Sequence, residues 1–233
     1  MSDLNKTYEM VFKRMIRETD EIYSFVFEKP GELEWKPGQH AIFRNMECKV
    51  EGDKNYRIFS LASIMEEDFV MFSTRITDQS TDCKQKLLQL KAGDRMTVED
   101  PQGRFKIEDF DKPTCLMAGG IGITPIRALL QNMDFNCINP KNLVVLYSDD
   151  RGDFAYEDTL KWINRKYDGL DLKLISDRHE FMEEIENFAK EMRNNADYLI
   201  SGTPGMNKAI TDKLTSLGVE KVNIKTDNFI GYK

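Results

Sequence analysis

Three short segments carry residues whose types and spacing suit the handling of a phosphorylated ligand. The first, Ala118-Gly119-Gly120-Ile121-Gly122-Ile123-Thr124-Pro125, leaves an apolar run and enters a helical pattern. That context predicts Thr124 as N-cap and Pro125 at the first helical position. Glycines let a ligand approach the backbone closely, and a helix N-terminus offers unpaired N–H groups and positive dipole to an anion such as a pyrophosphate. The spacing departs from G-x-G-x-x-G because Pro125 stands at the third glycine position, and a tight strand–helix turn without a ligand accounts for it too. A second segment, Ser201-Gly202-Thr203-Pro204-Gly205-Met206, ends another apolar run. Ligands of doubly wound sheets lie outside the carboxyl ends of the strands, where both loops belong. An ordinary strand–turn–helix junction reads the same way. The third, Arg57-Ile58-Phe59-Ser60, offers a guanidinium fork, an aromatic face and a hydroxyl, with Arg57 and Phe59 on one side of a strand by alternation. Strand statistics alone make this a surface arginine beside a core phenylalanine.

The elements that must position these segments differ between the two halves of the chain. Up to residue 108 the pattern is short strands between turn signals: Met10–Ile16, Ile22–Phe27, His40–Phe43, Arg57–Leu61, Phe69–Thr74 and Met96–Glu99. Pro30-Gly31, Pro37-Gly38 and Gly93-Asp94 punctuate them, and one helical stretch, Cys83–Leu90, interrupts them. Six such strands suit a small antiparallel β-barrel over residues 1–108. In the second half, 109–233, strands alternate with helices. Cys115–Ala118 and Leu143–Tyr147 are continuous apolar runs, as strands buried on both faces should be. Ile126, Leu129, Leu130 and Met133 share one helix face; Phe181, Ile185, Phe188 and Met192 share another, and so do Met206, Ala209, Ile210, Leu214 and Leu217. Further strands are expected at Leu172–Ile175, Tyr198–Ser201 and Val222–Lys225. The expectation is a barrel followed by a doubly wound parallel-sheet α/β domain.

Composition narrows the classes of function. The 233 residues are 40% hydrophobic and 31% charged, a globular balance. Thirty-three Lys+Arg against forty Asp+Glu gives a net charge of -7, which argues against nucleic acid as the main partner. No apolar run approaches the roughly 20 residues of a membrane-spanning helix. The first residues lack the basic and apolar regions of a signal peptide, so a cytoplasmic protein is expected. Cys48, Cys83, Cys115 and Cys137 form no Cys-x-x-Cys pair, and with only His40 and His179 beside them no metal site is expected. Four reduced, mostly buried thiols are the simplest reading.

Taken together and in this order, the segments resemble the ferredoxin–NADP reductase superfamily over nearly the whole chain. Arg57-Ile58-Phe59-Ser60 is similar to the family's Arg-x-aromatic-Ser signature, and Pro37-Gly38-Gln39 to its Pro-Gly-Gln turn. The resemblance implies that Arg57 holds the FAD pyrophosphate, Phe59 packs along the flavin and the Ser60 hydroxyl lies near flavin N5. Ile58, Ser73, Thr74, Thr81 and Lys84 are further FAD-binding candidates, the last two from Thr81-Asp82-Cys83-Lys84, which resembles the family's second phosphate-binding segment. Gly119, Gly120, Gly122, Thr124 and Pro125 match its pyridine-nucleotide loop. Gly202 and Met206 fall in the segment that resembles its Cys-Gly-x-Pro-x-Met, with Ser201 in place of the cysteine. Near the end, Asp227 precedes Phe229 by two positions, as the family's carboxylate precedes its flavin-shielding aromatic; Tyr232 is an alternative ring. Ser60, Ser201, Asp227 and Phe229 are thus the implied catalytic candidates. A core role for the aromatic of the last strand is the alternative. Asp100, in Glu99-Asp100-Pro101-Gln102-Gly103, stands where relatives have glycine.

The implied chemistry is transfer of hydride from NAD(P)H to FAD and of electrons onward, which needs no nucleophile or triad. After Leu143–Tyr147, Ser148 and Arg151 would welcome the 2′-phosphate of NADPH, whereas Asp149 and Asp150 would bond the ribose of NADH. Both kinds are present and neither wins. The acceptor is expected to be a separate ferredoxin or flavodoxin, or a small molecule. An acidic partner requires a local basic patch, for which Lys13, Arg14 and Arg17 with Lys36 or Arg44 are candidates beside a reading as scattered solvated charges. A flavin subunit of a larger electron-transfer complex is a second reading, and a non-catalytic nucleotide-sensing module of the same fold is a third.

Overall fold

The computed structural model describes residues 6–44 and 56–229, and the chain divides into two compact units, one ending at Arg104 and the other starting at Phe105. In the first unit, β1 (Thr7–Arg17), β2 (Ile22–Glu28), β3 (His40–Arg44), β4 (Tyr56–Ser60), β5 (Phe69–Arg75) and β6 (Arg95–Glu99) form one antiparallel sheet in the order β4-β3-β6-β1-β2-β5. A bridge between Leu61 and Phe72 joins its two ends, so the sheet closes into a barrel. Alternation places Phe12, Phe25, Phe27, Phe43, Phe59 and Phe72 inside. The helix α1 (Asp82–Leu87) drops Cys83 and Leu87 into the same core. It stops three residues short of the expected Leu90, because the chain turns there toward Gly93, which holds φ 99°. Cys83 is disulfide-bonded while Cys115 and Cys137 are free, which corrects the expectation of four reduced thiols.

The second unit is a parallel sheet of β7 (Thr114–Gly119), β8 (Leu143–Ser148), β9 (Leu170–Ile175), β10 (Asp197–Gly202) and β11 (Ile224–Asn228), ordered β11-β10-β7-β8-β9. The helices are α2 (Ile123–Phe135), α3 (Glu157–Asn164), α4 (Arg178–Met192) and α5 (Pro204–Ser216). Phe181, Ile185 and Phe188 of α4 and Ile210 and Leu214 of α5 pack on Cys115, Met117, Tyr198 and Ile200. The intervening residues Leu116, Val145 and Leu199 are equally buried on the opposite face, where α2 and α3 lie. The apolar spacing does not announce α3, whose eight residues bury only Leu160 and Ile163.

Two local expectations are corrected. A 3-10 turn, Gly120–Gly122, feeds directly into α2, which therefore starts at Ile123 with Gly122 as its cap. Thr124 and Pro125 are the second and third helical residues; proline is tolerated there because first-turn N–H groups have no intrahelical acceptor. The last strand runs Ile224–Asn228 after a 3-10 turn over Lys221–Asn223, two residues later than expected. Asp227 thus lies inside a strand, paired in register with Ser201.

Candidate functional site

Of the candidates in the first unit, Arg57 of β4 and Lys84 of α1 lie close enough to interact. Arg57 is only 1% exposed, so it is not the surface arginine that strand statistics favour. Its Nη1 donates to the Tyr56 carbonyl at 2.9 Å. Ile58 faces outward, and Phe59 turns back into the barrel to stack on Phe72 with ring centres 4.3 Å apart. Lys84 donates to the Arg75 carbonyl at 3.0 Å. Burial, and then the positive charges of Arg57 and Arg75, hold its ammonium below the usual lysine value. Thr81 caps α1 by position, yet its hydroxyl is buried with no hydrogen-bond partner among the described residues.

A buried hydroxyl without a partner, next to a cation destabilised by other cations, is an arrangement that a phosphate anion would relieve. The residues present therefore fit a pyrophosphate. Arg75, which the sequence did not single out, belongs to this cluster; it also pairs with Glu21 at 2.8 Å. Ser60 is buried at the end of β4 opposite His40. Ser73 and Thr74 are buried in β5, and the Ser73 hydroxyl lies 2.6 Å from that of Ser24. Of the cations considered for a basic patch, Arg17 pairs with Asp20 and Arg44 with Glu99.

In the second unit the strand register sets the candidates in a row. Ser201 is level with Ala118, which is level with Tyr147; one step further on, Gly119 is level with Ser148. Gly202 is level with Asn228. The strand order reverses between β7 and β10, and such a switch point is where doubly wound sheets open a crevice. Gly120 holds φ 53°, which bends the chain out of β7. Gly122 has a different reason to be glycine: a Cβ there would lie 2.0 Å from the Ser201 carbonyl oxygen. The sulfur of Met206 sits against both Gly119 and Gly202, 2.1 and 2.7 Å from where their Cβ atoms would be. Thr124 is fully buried, and its hydroxyl donates to the Ile121 carbonyl at 2.8 Å.

Among the described residues the Ser201 hydroxyl is buried without a partner, as is Oδ1 of Asn207, a residue whose type and spacing give no signal in the sequence. At the end of β8, Ser148 and Asp149 are buried while Arg151 is exposed. The Asp149 carboxylate accepts the Arg151 backbone N–H at 3.1 Å. Phe229 is the last described residue, and its N–H donates to the Gly202 carbonyl at 2.9 Å. Tyr232 lies outside the described residues. Among the described residues no helix is long and apolar enough to cross a membrane.

No protein-family model matches the chain. Among curated proteins it is similar to a subunit of the Na(+)-translocating NADH-quinone reductase of Actinobacillus pleuropneumoniae, 28% identical over 199 residues covering 75% of this chain and 49% of that one. It is also similar to the flavohemoprotein of Pseudomonas putida, 30% identical over 128 residues covering 54% of this chain and 32% of that one. The chain thus spans about half the length of the first of these relatives. Among solved structures, a ferredoxin NADP+ reductase from Neisseria gonorrhoeae with bound FAD and NADP superposes with a TM-score of 0.80 at 16% identity, covering 97% of this chain and 99% of that one. The FAD/NAD binding domain of a nitric oxide dioxygenase from Vibrio cholerae gives 0.75 at 18% identity, covering 95% and 98%.

Proposed function

We propose that this chain, which has the fold of a ferredoxin NADP+ reductase and is similar to a subunit of a quinone reductase, binds FAD in its first unit and NADH or NADPH in its second, as a reductase serving a separate acceptor. The observation that carries the reading is the convergence of Lys84 with Arg57 and Arg75 beside the unpartnered Thr81 hydroxyl. In this role Arg57 and Lys84 neutralise the pyrophosphate, and Thr81 donates one hydrogen bond to it. Phe59, fixed by Phe72, offers a rigid aromatic edge to the isoalloxazine. Ser60, closing β4, would bring a hydroxyl to the reacting end of the ring.

In the second unit the turn at Gly119–Gly122 lets a dinucleotide lie against the backbone at the start of α2. Gly202 and Met206 shape the nicotinamide end, and Ser201 supplies the unpartnered hydroxyl there. Ser148, Asp149 and Arg151 stand at the adenosine end of the row, one strand beyond Gly119. A flavin held there would supply hydride and electron transfer; the protein's own part is to orient, balance charge and exclude water. Asp227 and Phe229, at the edge of β10, are the residues we assign to proton handling and to covering the ring.

The test is the visible spectrum of the purified protein, followed by anaerobic titration with NADH and NADPH in parallel. A yellow protein bleached by either nucleotide supports the reading and names the donor. A protein that stays colourless after incubation with FAD overturns it, and one that binds both cofactors without bleaching is a sensor rather than a reductase. A second form of the reading, an electron-entry module of a larger complex, is favoured by the similarity to one component of a quinone reductase that is built from subunits. That form predicts fast bleaching but poor turnover with soluble ferredoxin or flavodoxin.

A further inference from the structure

β11 is an edge strand, and none of its five residues is fully buried. Only Ile224 of this strand packs against the core, so hydrogen bonds must do more of the holding than in β7, β8 and β10. One of them comes from a side chain in another element. Asn207, in the first turns of α5 and only 2% exposed, turns its Nδ2 to the Asp227 carbonyl at 2.6 Å and to the Asn228 Oδ1 at 3.0 Å. With two acceptors in front of it, that end of the amide must be the nitrogen. Its Oδ1 is left buried without a partner among the described residues, and a Cβ on Gly202 would lie 3.4 Å from it. An apolar residue of the same size would fill this place without an unsatisfied acceptor. What it would lose is the grip on β11.

We propose that Asn207 is a positioning residue that latches the segment Asp227–Phe229 over Gly202, and so sets how readily a nicotinamide nucleotide reaches Gly202. The second clause rests on the reductase reading; the first stands without it. Releasing the Asn207 bonds to water is a smaller step than withdrawing a buried apolar side chain, and it leaves the end of the strand held by its ladder to β10 and the Phe229–Gly202 bond. The Phe229 N–H, bonded to the Gly202 carbonyl, reports on the latch directly because it exchanges only when the segment lifts.

The experiment is amide hydrogen exchange on the full chain without nucleotide, comparing wild type with Asn207→Leu and Asn228→Ala. Phe229 should lose protection by about tenfold or more in Asn207→Leu and by about threefold in Asn228→Ala, with β7 and β8 unchanged. In the double variant, Asn228→Ala should add nothing. Unchanged Phe229 protection in Asn207→Leu overturns the latch. Should that variant lose protection throughout, the exposed Asn228→Ala decides. Titration with NAD+ and NADP+ then tests the second clause. If the segment competes with the nucleotide, loosening it tightens apparent binding by up to the same factor and lowers KM without raising kcat in proportion. Loss of protection with affinity unchanged or weaker refutes the competition and leaves the latch. A wild-type protein that binds no nucleotide removes the second clause together with the reductase reading.

Discussion

Gly119, Gly122 and Gly205 all lie around the crevice end of the second unit's sheet, and the structure ranks what a methyl group would do at each. At Gly122 a Cβ would stand 2.0 Å from the carbonyl oxygen of Ser201, a backbone atom inside the sheet. Contacts under 3.0 Å do not occur, so α2 and β10 must separate by about 1 Å at their closest point. At Gly119 the obstacle is the Met206 sulfur at 2.1 Å, the far end of a flexible side chain that can swing away. At Gly205, in α5, nothing lies within 4 Å.

Overpacking against backbone costs about 3 kcal/mol, and displacing a methionine tip costs about 1 kcal/mol. Alanine in a helix gains about 0.5 kcal/mol over glycine. With a urea dependence of about 2 kcal/mol/M, Gly122→Ala should lower the midpoint by about 1.5 M and Gly119→Ala by about 0.5 M. Gly205→Ala should raise it slightly. Trp162 on α3 reports the second unit alone once Trp35 of the first unit is changed to Phe, so the assay is its fluorescence in urea in that background. Equal midpoints for Gly122→Ala and Gly205→Ala would refute the close approach of α2 to β10 and, with it, the crevice built on that approach.

Other expected outcomes concern the first unit. Because burial and the neighbouring arginines hold Lys84 below its ordinary value of 10.5, the folded protein binds fewer protons than the unfolded one between its lowered value and 10.5. Stability without FAD should therefore rise with pH across that window, relative to Lys84→Met, which lacks the slope; urea midpoints against pH check it. Thr81→Ala removes a hydroxyl that has no partner among the described residues, so stability should hold while FAD binds about threefold to tenfold more weakly by fluorescence titration. Ser73→Ala should do the reverse, losing about 1 kcal/mol with its bond to Ser24 and leaving FAD affinity within a factor of about two. Arg57→Lys keeps the charge but loses the planar fork, and should weaken FAD binding by about tenfold or more.

Much of the fold is legible along the chain because its signals are local. The alternation that buries Phe25, Phe27, Phe43 and Phe59 in the barrel is a period-two pattern. The spacing of Phe181, Ile185 and Phe188 is a helical face, and the apolar runs of β7 and β8 need no partner to be recognised. Where several choices are locally equivalent the reading slips. Thr124 has the sequence of a cap, but a tight glycine turn starts α2 one residue before it. The strand expected at Val222–Lys225 begins two residues later because the edge of β10 fixes its register.

For the candidate site, the chemistry-bearing residue types were visible by themselves: Arg57, Thr81, Lys84, the glycines from 119 to 122, Ser201 and Gly202. Their neighbours were not. That Arg57 is buried, that Arg75 joins it near Lys84, and that Gly122 is glycine because a backbone carbonyl lies against it follow from which strands pair and which helix packs on them. So does the role of Asn207, a polar residue of no marked spacing that faces β11 only because β11 is placed beside β10. Local sequence sets hydrophobic period, turn chemistry and the stock of charges. Tertiary structure alone decides which buried polar atoms are left without a partner, because that depends on groups distant in the chain converging on one place.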